Sequence, residues 1–182
     1  MAERQPSATS LPPVKRYILT HTPTGKSTIH SSPPQQYVRH DAGGFARSYA
    51  TTSTPVDFTN EADINSYLST DGPASVLGTS IVVPTASGAA CLVVELKPGG
   101  ETQMHRTVSL DFSIAIVGGI SMELDSGEVI KLNPGDHIIQ RGTLHKWINN
   151  STTEPARFIA VTVPCAPFEI PGTGENLEET WL

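Results

Sequence analysis

Two histidines in this 182-residue chain are set where they could move protons or hold a metal. His105 follows Gly99-Gly100-Glu101-Thr102-Gln103-Met104 and leads into Arg106-Thr107-Val108-Ser109-Leu110-Asp111-Phe112. His145 lies in Gln140-Arg141-Gly142-Thr143-Leu144-His145-Lys146-Trp147-Ile148-Asn149. An imidazole titrates near neutral pH, and its lone-pair nitrogen is also a common metal ligand. Two of them beside a carboxylate suit either general acid–base catalysis or a metal centre. Asp111 offers the carboxylate, so His105, His145 and Asp111 are the candidate catalytic residues.

Such groups meet only if strands bring them together. Alternate residues of a strand point to opposite faces. Along 104–117 the odd positions are His105, Thr107, Ser109, Asp111, Ser113 and Ala115, small and polar. The even positions include Val108, Leu110, Phe112, Ile114 and Ile116, bulky and apolar. The polar face suits a cavity lining. The bulky face needs cover from an N-terminal arm or a second subunit, which predicts a homodimer. A bulge between His105 and Asp111 would break this phase.

The same alternation puts His145, Trp147 and Asn149 on one face. Trp147 would then wall a planar substrate, and Asn149 would offer an amide donor and acceptor. Gln140 lines the pocket if its strand keeps phase, and Arg141 could clamp a carboxylate or phenolate. With Thr107, these are the candidate substrate-binding residues.

The rest of the chain reads as one compact domain with extensions. Fifteen glycines and fifteen prolines punctuate short strands and disfavour long helices. Residues 1–13 are polar and expected to be disordered. Residues 14–77 form an arm with strands at 14–22 and 45–52 and one short helix at 60–68. From 78 to 165 apolar runs alternate with Pro-Gly and Ser-Gly turns, an all-β core, and 166–182 are a tail expected as an irregular strap or loose end.

A net charge of −6 gives no basic stripe for nucleic acid. No apolar run approaches the roughly 18 residues of a membrane span. The N-terminus lacks a secretory h-region, so a cytoplasmic protein with free thiols at Cys91 and Cys165 is expected. Thr24-Gly25-Lys26-Ser27 lacks the leading glycine of a phosphate-binding loop, and no nucleotide cofactor is expected.

The two histidine segments resemble the paired motifs of the cupin superfamily. Gly99, His105, Asp111 and Gly118 follow the first motif's spacing, with Thr107 in the place of its second histidine and Asp111 in that of its glutamate. Gly142, His145 and Asn149 follow the second motif, with Gln140 in place of proline. The resemblance covers roughly residues 78–165 and implies a single-domain jelly-roll β-barrel acting on a small molecule.

The wording around both histidines resembles, more narrowly, the small cupins of fungal polyketide and secondary-metabolite pathways. That implies dehydration, isomerisation or aromatisation of a polyketide-derived intermediate. An Fe(II)-type oxidoreductase and a non-catalytic barrel shielding an intermediate are the alternatives. The family's ligand pattern implies one divalent metal (Fe, Mn, Ni or Zn) on His105, Asp111 and His145, a two-histidine, one-carboxylate set. With a histidine replaced at Thr107, a metal-free proton-transfer site is equally compatible.

Overall fold

The computed structural model describes residues 4–83 and 86–182. In chain order the strands are β1 (Ile18–His21), β2 (Ser27–Ser31), β3 (Val38–His40), β4 (Gly43–Thr51), β5 (Ala89–Leu96) and β6 (His105–Arg106). They continue with β7 (Ser109–Val117), β8 (Ile120–Leu124), β9 (Val129–Leu132) and β10 (His137–Arg141). The last are β11 (His145–Asn149), β12 (Ala156–Pro164) and β13 (Thr180–Trp181). A helix, α1 (Ala62–Leu68), stands between β4 and β5, close to the predicted 60–68. Its Ile64 and Tyr67 are buried, and Tyr67 stacks at a tilt on Tyr49 of β4, with centroids 4.7 Å apart. No helix among the described residues is long and apolar enough to cross a membrane.

Two antiparallel sheets make a jelly roll, one six-stranded in the order β10-β7-β12-β5-β4-β3 and one five-stranded in the order β13-β6-β11-β8-β9. From β6 to β12 the chain repeatedly crosses between them. The core joins both inner faces: Leu92, Leu96, Ala115 and Phe158 from one, Ile120, Met122, Leu132 and Trp147 from the other. Trp147 stacks on Phe158 with centroids 4.3 Å apart, a contact that ties the sheets together.

The segment 104–117 is not one strand. The chain leaves the five-stranded sheet after Arg106 and enters the six-stranded sheet at Ser109. The predicted alternation survives this crossing, because the odd residues from His105 to Ala115 are all buried. His105 and Asp111 therefore face the interior from different sheets. On the outer face the arm covers only part of the apolar surface: Ala8 and Val14 pack against the Tyr37, Ala46 and Val93 cluster, where Ile159 also sits. Phe112, Ile116 and Ile139 stay 40–51% exposed.

The N-terminal residues behave differently from the disorder expected of 1–13. Residues 1–3 lie outside the described residues, but the backbone N–H groups of Ala8 and Thr9 and the hydroxyls of Ser7 and Thr9 all donate to Oε2 of Glu95, at 2.8–3.0 Å. Glu95 is fully buried, and its Oε1 accepts from Arg157 Nε at 3.1 Å and from a terminal guanidinium nitrogen at 2.5 Å. A buried carboxylate must have its lone pairs satisfied, and this one recruits the chain terminus to do it. The strands expected at 14–22 and 45–52 appear as β1 and β4. Steady β-structure starts at Ala89 rather than 78, because residues 69–80 run through turns held by Arg47, which donates to the carbonyls of Pro73, Ser75 and Ser80.

Candidate functional site

β6 and β11 pair antiparallel with His105 directly opposite His145. Opposed residues bring their Cβ atoms to about 4.5–5.5 Å, so register alone puts the rings in contact. Their centroids lie 4.3 Å apart, with planes at 48°. Each ring is fixed in the same way. Nδ1 of His105 lies 2.9 Å from the Gln103 carbonyl, and Nδ1 of His145 lies 3.0 Å from that of Thr143. A carbonyl only accepts, so Nδ1 of His105 carries the hydrogen and its Nε2 keeps the lone pair.

The Thr143 carbonyl accepts a second bond from Gln140 Nε2 at 3.0 Å, while the Thr143 hydroxyl donates to Gln140 Oε1 at 2.9 Å. Gln140 is thereby held against Nδ1 of His145. Gln140 is also the register partner of Asp111 on β7. Oδ1 of Asp111 accepts from the Ser109 hydroxyl at 2.6 Å, and Ser109 is 2.8 Å from the Thr107 hydroxyl. Because Ser109 gives its hydrogen to Asp111, Thr107 donates to Ser109 in turn.

Burial sets the protonation states. It lowers His145 to about 4, with the neighbouring His105 adding to the effect and the Thr143 carbonyl opposing it. Burial also lowers His105, where the Gln103 carbonyl and the Glu179 carboxylate push back. Asp111 is raised by burial to about 6, against the pull of the Ser109 and Thr107 hydroxyls. At neutral pH two uncharged imidazoles thus share a cavity with a carboxyl group poised just below neutrality.

The cavity has a volume of about 430 Å³. His105, His145, Asp111, Thr107, Gln140 and Trp147 all line it, as the strand phase predicts. Two predicted residues do not. Asn149 is buried on the expected face, but its Nδ2 donates to the carbonyls of Leu96, Lys97 and Glu154, and its Oδ1 accepts from Ser151 N–H. It closes a loop and does not line the cavity. Arg141 is exposed at the end of β10, outside the cavity lining, so it clamps nothing there.

Among the lining residues not predicted from sequence, three stand at the mouth: His40, Asp41 and Trp181. His40, at the tip of the β3–β4 hairpin, stands at the mouth together with Asp41. Trp181 stacks on His105 with centroids 4.6 Å apart and planes at 6°. Its strand, β13, pairs with β6 so that Trp181 stands opposite His105. A lone tryptophan in an aperiodic tail carries no strand signal, and only its being a large aromatic beside a terminus could have flagged it.

The metal set implied by the family pattern is not assembled. Among the described residues, no three His, Cys, Asp or Glu side chains gather closely enough to share an ion. The imidazole pair offers two nitrogens. Asp111 projects from the other sheet with one oxygen tied to Ser109, and the Thr107 hydroxyl is a poor substitute for imidazole. The two cysteines are free thiols, both half-buried.

The model of the cupin domain matches residues 92–162, the span that holds both histidines. Phomopsin biosynthesis cluster protein C' of Diaporthe leptostromiformis is 38% identical over 174 residues, covering 91% of this chain and 89% of its own length. The cupin-domain-containing oxidoreductase fogC of Aspergillus ruber is 34% identical over 90% of this chain and 78% of its own. The chain is a cupin. Among solved structures it is similar to the polyketide cyclase RemF of Streptomyces resistomycificus, at 21% identity and a TM-score of 0.40 over 52% of this cupin and 60% of that chain. Cupins often hold a metal, and the Thr107 and Asp111 replacements mark where this cupin departs from the usual ligand set.

Proposed function

We propose that this cupin is a small-molecule enzyme of fungal secondary metabolism that dehydrates or isomerises a hydroxy-carbonyl intermediate of polyketide type, a reaction that can end in an aromatic ring. The observation that carries this reading is the pair of neutral, Nδ1-anchored imidazoles sharing an apolar cavity with a carboxyl group raised to about 6. The membership of relatives in biosynthesis clusters supports the setting.

In the dehydration, Nε2 of His105 takes a proton from the carbon next to the carbonyl. The electron pair left behind forms a carbon–carbon double bond as the β-hydroxyl departs. That hydroxyl takes a proton from the protonated fraction of Asp111, which its raised pKa of about 6 keeps populated near neutrality, so water leaves. The imidazolium then returns its proton to the carboxylate through solvent, restoring both groups. Isomerisation uses the same first step, with the proton returned at another carbon. A positioned general base of this kind contributes roughly 10²–10⁴-fold.

The test is metabolite profiling after deletion of the gene in its producing organism, with complementation by His105→Ala/His145→Ala. The expected result is build-up of a hydroxy-carbonyl precursor that wild type clears and the double variant does not. Full product with the double variant would assign the protein to a binding role that shields the intermediate.

A second reading, an oxidoreductase working through a bound metal, draws on relatives that are cupin-domain-containing oxidoreductases. Elemental analysis of purified protein, with turnover measured before and after chelation, separates the two. Stoichiometric iron together with activity lost on chelation and restored by the metal would favour oxidation.

A further inference from the structure

The cavity takes one sign of charge seriously and ignores the other. Among the described residues its lining includes no lysine and no arginine. It includes three carboxylates: Asp111 inside, 7% exposed, and Asp41 and Glu101 at the exposed rim. Lys146, behind the rim, is already paired with Glu123 at 3.1 Å and Glu101 at 3.6 Å. An anion entering would lose its hydration, meet no cation and approach Asp111, and each of these terms disfavours it.

The mouth carries a complementary feature. Trp181 lies flat on His105, yet half its surface is open to solvent. Its Nε1 donates to Glu179 Oε1 at 2.9 Å, which fixes the direction of the indole. The strand behind it is held by two residue pairs and by Leu182 N–H donating to the Met104 carbonyl at 2.9 Å. Leu177, almost fully buried, anchors the strap. An indole face kept half-wet at the entrance of an apolar cavity is a stacking platform, because aromatic rings gain from offset or parallel contact beyond the area they bury.

We propose that Trp181 is a substrate-contacting, specificity-determining residue on which a flat, uncharged ring system stacks as it enters, and that the cavity behind it rejects carboxylates and phosphates. The proposal rests on the reading that this cavity is the substrate site, but not on which residues move protons. A substrate of this class must come from a reaction that leaves no free acid, such as a reductive or cyclising release.

Two probes that share one flat ring system test it by calorimetry at pH 7.5: 2-naphthol, neutral, and 2-naphthoate, anionic. Wild type should bind 2-naphthol at least about tenfold more tightly than 2-naphthoate. Trp181→Ala should weaken 2-naphthol by about tenfold, while Trp181→Phe restores most of the affinity, with melting temperatures showing that both variants fold. Equal binding of the probes, equal binding by Trp181→Ala and wild type, or no 2-naphthol binding below about 1 mM would each overturn it. Loss of turnover in the histidine variants is a separate readout, so that reading and this one can fail independently.

Discussion

His105 and His145 face each other across one register pair and are anchored by the same device, Nδ1 to a carbonyl two residues earlier. Their surroundings differ. His145 is enclosed by Gln140 and by Trp147, whose ring meets it edge-on at 6.0 Å. His105 sits on β6, between β11 and the edge strand β13, under the half-exposed Trp181, with the Glu179 carboxylate supporting its charged form. Both rings share a carbonyl anchor, while the second layer of contacts decides which can accept a proton. His105 is suited to carry it, and His145 to stay neutral and orient.

The largest expected effect breaks this asymmetry directly. His105→Ala should lower kcat by about 10²–10⁴-fold, the range of a lost general base. His145→Ala should cost less, on the order of tenfold to a hundredfold. Steady-state kinetics on the accumulated intermediate would read both. Equal losses would mean that the two rings act as one unit and that the difference in surroundings has no chemical meaning.

Next comes the opposition between Asp111 and His145, both shifted by burial but with opposite consequences for stability. An unfolded aspartate loses its proton near 4, whereas folded Asp111 holds it to about 6. Between those values the folded state binds the extra proton, so rising pH weakens the fold, and the full cost of about 3 kcal/mol stands above pH 6. His145 works the other way: an unfolded imidazole charges near 6.5, the folded one only near 4, so stability is lost as pH falls through that window. Asp111→Asn should therefore melt higher than wild type at pH 7.5, show no advantage below pH 4, and lose activity. A melting temperature unchanged at pH 7.5 would show that Asp111 is better solvated than its burial implies.

Gln140 tests a smaller part of the contrast. It shares the Thr143 carbonyl with His145 and has no counterpart beside His105. Gln140→Leu should preserve the cavity's shape, lower kcat by several-fold with little change in KM, and leave the His105 side intact. Observing both imidazoles by NMR would check this: only the His145 signals should move.

The features legible in the sequence were those with a short period. Alternation along 105–115 and 145–149 identified the inward residues, and the two histidine segments carried the resemblance to cupins that implied the jelly roll. What periodicity could not carry was placement by distant partners. Trp181 reaches His105, 76 positions earlier, only because a two-residue strand pairs with an equally short one. Ser7 and Thr9 are ordered by a carboxylate nearly 90 residues away. Asn149 had the right face, but its amide was taken by loop carbonyls that no pattern announces. The bulky outer face was read correctly, and a second copy covering Phe112, Ile116 and Ile139 is our proposal for it. Light scattering of the purified protein should give a dimer mass.

The last prediction joins the two halves of the comparison. Gly142 lies in the His145 segment at φ +64°, and a Cβ there would stand 2.8 Å from Leu177 Cδ2, in the strap that carries Trp181 over His105. Gly142→Ala should thus cost about 1 kcal/mol for the left-handed backbone, and more for pushing Leu177 aside. The backbone part is local to His145; the steric part travels to His105. Leu177→Ala empties the space and should recover the steric part alone, so the double variant should be more stable than the sum of the two single losses predicts. Strictly additive losses would mean that the strap yields freely at Leu177 and that the surroundings of the two histidines are independent.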